Sequence, residues 1–195
     1  MSVNQLNRVG HYSICPGVDL IEMAMRIAVL PESRPMSTQI FAKIGDIKGE
    51  SVHAGHVDEI DVVSFSWGVA HAASGPAGGG GAGVGKAAFQ ELVIVHTVDR
   101  ATPVLMLACA TGRHLNEATI SHRRAGDNQQ DYLTIKLGEV TIAAVTQNGE
   151  AVAPYTETVS LRFSKVDLLY RRQRPDGTLD DGQHFIFDLR TNVAG

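Results

Sequence analysis

From Ile40 onward the chain alternates with period two, and this pattern excludes more architectures than any motif it carries. Ile40, Ala42 and Ile44 alternate with Phe41, Lys43 and Gly45, which predicts a short first strand. Val63, Phe65, Trp67 and Val69 share one face of a longer strand, with Ser64, Ser66 and Gly68 on the other. Phe65 and Trp67 read as core residues on that face. "FQELVIVHTV" is rich in β-branched residues and reads as another strand. Leu133, Ile135 and Leu137 alternate, and after Gly138 the apolar set moves to Val140, Ile142 and Ala144. Val159, Leu161 and Phe163 mark a further strand, whose phase slips at Ser164-Lys165 to Val166, Leu168 and Tyr170. Such slips are what a bulge produces where a strand bends around a barrel. "RPDGT" reads as a tight turn, and "HFIFDL" as the last strand.

One segment follows a different rule. "DRATPVLMLACATG" offers Asp99 or Thr102 as N-cap, Pro103 in the first turn and Gly112 as C-terminal cap, around a body of Leu, Met, Ala and Cys. This predicts a helix over about 101–111. Strands with one helix do not alternate as βαβ units must, which argues against a parallel doubly wound sheet. The pattern predicts a mainly β fold, a barrel or sandwich with a single helix packed on it. Leu105, Met106 and Leu107 either seat that helix or line a contact with another molecule, and the sequence leaves both open.

Residues 1–35 differ from the rest. Leu20, Met23, Ala24, Ile27 and Ala28 recur at helical spacing, then Pro31 and Pro35 in "LPESRP" stop any element. They are expected to be an N-terminal extension to a domain spanning 36–195, and Met36 reads as an alternative start. No apolar run approaches the ~18 residues of a membrane span. Val18 to Leu30 is interrupted by Asp19, Glu22 and Arg26, which also makes it a poor secretory leader. A formal charge of -4 argues against a nucleic-acid binder that relies on bulk positive charge. Arg123-Arg124 and the Arg171–Arg174 run are too short to reverse that. Cys15 and Cys109 form no C-x-x-C pair and fit a reducing compartment.

The chemical motifs dissolve on inspection. "GGGGAGVGKAA" places Gly80, Gly85 and Lys86 at phosphate-loop spacing, but Ala87 stands where a magnesium-binding hydroxyl is needed. A phosphate loop also needs a buried parallel strand before it and a helix N-terminus after it. Here the preceding strand alternates, and Lys86 to Val98 continue with period two. The run therefore reads as a long hairpin connection, where glycine is easily accommodated. His53 and His56 lack the glutamate and helical spacing of a zinc site, and His71, His96, His114, His122 and His184 are scattered. All read as surface or hydrogen-bonded histidines. Asp58, Glu59 and Asp61 read as a solvated turn. "SFSWG" lacks the sharp G-x-S-x-G elbow. No metal, cofactor or catalytic constellation is expected.

Several spaced stretches, in order, carry a resemblance. "FAKIGDIKGES", "EIDV" and "SFSWG", then "GGGGAGVGKA" and "FQEL", then "LMLACATGRH", "EATI" and "AGDNQQDYLTIKL" resemble the Hcp family, the haemolysin co-regulated proteins. These form the inner tube of the bacterial type VI secretion system. The likeness runs from about Met36 to the C-terminus. It implies an antiparallel β-barrel of two sheets with one α-helix beside it, and no catalytic residue. It implies homohexameric rings that stack into a tube, driven outward by a contractile sheath and carrying a VgrG-type tip protein and effectors. The chain is then cytoplasmic before assembly and secreted without a cleaved signal peptide, with neither nucleic acid nor membrane insertion in its role. Within that reading, Ser74, Gly75, Gly78, Gly79, Gly80, Gly81, Gly83 and Gly85 form the candidate inter-subunit or inter-ring loop. Two other classes compete: a stand-alone ligand-binding barrel such as a lectin-like module, and a degenerate phosphate-loop protein.

Overall fold

The computed structural model describes residues 38–71, 87–124, 129–149, 151, 154–174 and 176–195. The strands, in chain order, are β1 (Thr38–Ile44), β2 (Ile60–Ser66), β3 (Val69–His71), β4 (Ala87–Phe89) and β5 (Leu92–Thr97). After α1 (Thr102–Thr111) come β6 (His114–Arg124), β7 (Asp131–Asn148), β8 (Thr156–Arg162), β9 (Lys165–Tyr170), β10 (Gln183–Asp188) and β11 (Val193–Ala194).

Antiparallel pairing joins β1 to β2, β2 to β5, β5 to β8, β8 to β7, β7 to β6 and β6 back to β1. Six strands thus close on themselves, and closure removes the free edges an open sheet would leave. The sheet continues from β7 through β9 and β10 to β11, and β3 pairs separately with β4. Among the described residues, the antiparallel barrel with one helix implied by the resemblance is the architecture observed.

The interior is filled by alternate residues of each strand. Ala42, Ile44, Ile60, Leu92, Ile94, Ile120, Ile135, Leu137 and Leu161 are buried in one cluster. Each large aliphatic side chain withdrawn from water contributes about 1.5–3 kcal/mol. A barrel of few strands has just enough interior for such side chains.

The phase slips are where strands bend. In β7 the buried set passes from Ile135 and Leu137 to Val140 and Ile142, and Glu139 between them takes φ 56°. At that bend β7 changes partner: Leu133–Gly138 pair with β9, Thr141–Asn148 with β8. The slip after Phe163 is the break between β8 and β9, where the Ser164 N–H donates to the Gly138 carbonyl at 3.0 Å.

Three details depart from the sequence expectations. The strand through Val63 and Val69 is two strands, because pairing of β2 with β5 shifts between Val62 and Ser64 and regularity ends at Trp67. Val63 is therefore exposed, out of phase with Phe65. Trp67 and Phe65 are half-buried against the core, Trp67 with its ring centroid 6.3–6.5 Å from those of Phe89, Phe163 and Phe185. "HFIFDL" is followed by a short β11. Finally, neither Asp99 nor Thr102 is the N-cap: that position is Ala101, whose N–H donates to Asp99 Oδ1 at 2.8 Å. The C-terminus does end at Gly112, with φ 63°. Its N–H donates to the Cys109 carbonyl and the Arg113 N–H to that of Ala108, the paired bonds of a glycine-terminated helix.

Candidate functional site

The helix is the first surface that demands an explanation. Thr102, Leu105 and Ala108 face the barrel and are buried. Val104, Met106 and Leu107 are exposed, Leu107 by 63%. No charged residue occurs from Ala101 to Gly112. A helix on a solvent-facing surface normally carries a polar outer face, and one apolar all round is normally buried. At the entry to the helix Val98 and Tyr155 are also exposed, joined by a 2.9 Å hydrogen bond from the Val98 N–H to the Tyr155 carbonyl.

Beneath the helix lies a polar network the sequence reading does not reach. His96 and Glu157 sit opposite each other on β5 and β8, and both are fully buried. His96 Nδ1 donates to the Thr97 carbonyl at 2.8 Å. Its Nε2 lies 2.8 Å from Glu157 Oε1, close as an ion pair but outside hydrogen-bond alignment. The Thr102 hydroxyl donates to the same oxygen at 2.9 Å, tying the first turn of α1 to the barrel. Nearby, burial pushes the Asp99 carboxyl up, against the hydrogen bond it accepts from Ala101.

The second surface is the connection 45–59, folded over the outer face of β1. It makes its own backbone bonds, Gly49 N–H to the Asp58 carbonyl at 2.8 Å and Ser51 N–H to that of Glu59 at 3.0 Å. His56 is buried beneath it, stacked on Phe41 with centroids 4.2 Å apart. His56 Nδ1 lies 2.7 Å from Glu59 Oε2 and Nε2 3.1 Å from Asp131 Oδ1. Arg123 donates to Asp131 Oδ1 at 2.9 Å and to the Ala54 carbonyl. This scaffold holds Val52 and Val57 out into solvent. Asp58 and Glu59 are thus not merely solvated: Glu59 binds His56, and Asp58 pairs with Arg100 and lies near Lys48. A Cβ at Gly49 would collide with the Glu59 carbonyl and lie 2.6 Å from the Ile60 Cα. Gly49→Ala is therefore expected to cost about 1–3 kcal/mol, read as a lowered midpoint in urea. An unchanged midpoint would mean the connection is free to move.

Three further histidines are partnered or packed. His114 Nε2 lies 2.9 Å from Glu139 Oε2, and His184 Nδ1 lies 3.0 Å from Asp167 Oδ1. His122 packs edge-on to Phe65, and burial lowers its pKa. Among the described residues no group of His, Cys, Asp or Glu is arranged to hold a metal.

A third surface is a groove of about 450 Å³ beside the β9–β11 extension. Leu137, Val166, Ile186, Phe187, Val193 and Ala194 line it, with Ile186 and Val193 exposed.

Ser74, Gly75, Gly78, Gly79, Gly80, Gly81, Gly83 and Gly85 lie outside the described residues. Their flanks are described: Val69, Ala70 and His71 pair antiparallel with Phe89, Ala88 and Ala87. A strand follows Lys86 where a phosphate loop requires a helix.

Known proteins share this architecture and sequence. A family model described as "Type VI secretion system effector, Hcp" matches residues 41–170. Protein hcp1 of Pseudomonas aeruginosa is 41% identical over 161 residues, spanning 81% of this chain and 99% of that protein. Hcp1 from Salmonella typhimurium superposes with a TM-score of 0.68 at 31% identity, over 82% of this chain and 100% of that one. A structure described as a type six secretion system protein gives a TM-score of 0.77 over 82% of this chain and 100% of that one. At 20% identity it speaks for the fold alone. The chain belongs to the Hcp family, the ring-forming subunits of the type VI secretion tube.

Proposed function

We propose that this tube subunit assembles as a homohexamer whose rings stack, travel inside a contractile sheath, and carry a VgrG-type tip protein and effectors outward. The observation that supports this reading best is the uncharged outer face of α1, exposed on a barrel that is otherwise complete. A closed ring needs two different patches that meet with a rotation that closes, and the chain offers more than one apolar surface. Its role is structural rather than enzymatic. Side chains fill the barrel, which argues against a stand-alone ligand-binding module. Release proceeds without a cleaved signal peptide. Among the described residues no helix is long and apolar enough to cross a membrane.

The working domain in this reading is 36–195, with 1–35 as an added segment, since the family match begins at residue 41. The loop Ser74–Gly85 reaches a neighbouring subunit or ring, where glycine permits close backbone approach. Deleting Gly78–Gly83 is expected to weaken ring stacking while leaving the barrel folded, and undiminished tube assembly would overturn that role. The test of the whole reading is mass in solution together with imaging of the purified protein. Annular particles of six subunits are expected, and a monomer at micromolar concentration overturns it.

A further inference from the structure

The apolar helix rests on a polar seat, and the two belong together. His96, Glu157 and Thr102 form the seat, and the Asp99 N–H donates to the Thr102 hydroxyl at 3.2 Å. Gln147 on β7 extends it outward: its Nε2 lies 3.5 Å from Glu157 Oε2 and 3.8 Å from Met106 Sδ. Polar contacts thus run without a gap from the barrel interior to a side chain on the exposed face of α1. Well-packed aliphatic residues at these positions would stabilise a barrel as well or better, because desolvating an ion pair offsets most of its attraction. What a hydrogen-bonded seat adds is a fixed position for the helix.

We infer that Val104, Met106 and Leu107 are the face on which a second copy of this chain docks, and that Thr102 and Glu157 are positioning residues for that contact. The inference rests on the tube-subunit reading and goes beyond it by naming the surface. The occupant is a second copy for two reasons. Members of this family self-associate into rings, and a face with no charge complements an apolar partner rather than an ionic one. The same chain supplies exposed apolar side chains, Ile186 and Val193, in a groove that is distinct from α1 and so fits a head-to-tail contact, although Glu117, Lys136, Lys165, Asp167 and Asp188 also line that groove.

The experiment compares full-length wild type with Leu107→Lys and Val193→Lys by light scattering and particle imaging, with circular dichroism as a fold check. Both positions are more than half exposed, so both variants are expected to keep the wild-type fold and melting temperature. Assembly is expected to weaken roughly 30-fold or more, as when a charge enters the centre of an interface. Rings formed normally by Leu107→Lys overturn the docking face. Rings formed normally by Val193→Lys, but not by Leu107→Lys, overturn the groove as its receiver. The positioning role is read with Thr102→Val, which removes the donated bond, and Thr102→Ser, which keeps it. Assembly about tenfold weaker in the first and restored in the second is expected, with folding stability changed less. Unaltered assembly in Thr102→Val overturns that role. A wild type that stays monomeric overturns the tube-subunit reading itself, whereas rings in both wild type and Leu107→Lys overturn this inference alone.

Discussion

Replacing Glu157 by alanine is expected to cost about 1–5 kcal/mol of folding stability, the range from orphaning a buried hydrogen-bonding group to breaking a buried charged pair. The reason is what remains. His96 is fully buried with Nε2 facing the vacated space, and the Thr102 hydroxyl loses the oxygen it donates to. Neither group reaches water without opening the seam between β5 and β8. Urea unfolding of the monomer measures the loss. A control separates an orphaned partner from a lost attraction: the double change His96→Leu with Glu157→Leu is expected to recover most of the stability, since both polar groups then leave together. A single variant within about 1 kcal/mol of wild type would show that the pair is not desolvated as its burial implies.

Leu105→Ala is the second large effect, at about 2–5 kcal/mol, the range for deleting a buried leucine side chain. Leu105 is fully buried and is the largest of the buried side chains of α1, flanked by Thr102 and Ala108. Without it the helix keeps a hydroxyl and a methyl group as anchors. The expected signature is local as well as global. Amide exchange across Thr102–Thr111 should accelerate more than across β6, because the helix can leave the barrel without breaking the closed strand ring. Equal acceleration in both would mean that helix and barrel open as one unit.

The sequence reads clearly wherever a rule acts locally. Pro103 and Gly112 bracket the helix because each is suited to one end of it. The slip at Gly138 is visible because one residue of offset moves every later side chain to the other face. What escapes is pairing at a distance. His96 sits in phase with Leu92 and Ile94, and Glu157 with Val159 and Leu161. Two polar residues in core phase are a legible signal, but only the register of β5 on β8 brings them together. His56 escapes for the same reason, since Asp131 reaches it from β7, two strands away in the sheet. The split of the strand at Val63 escapes because a bulge needs only one residue out of step. The apolar face of α1 lies between these cases. Its composition is plain, yet only burial separates Leu105, which seats the helix, from Leu107, which faces out.

The bend in β7 has a mechanical side. One strand of 18 residues runs along the barrel wall throughout: its first half pairs with β6 on one edge and with β9 of the extension on the other, and from Thr141 it pairs with β8. A pull applied to the extension would therefore enter the barrel along a covalent backbone, with no linker to unfold at the junction. It meets β6 and β8 lengthwise, so the load is shared by a row of hydrogen bonds strained together rather than opened one by one. A tube built from such subunits is expected to part between copies before any copy unfolds.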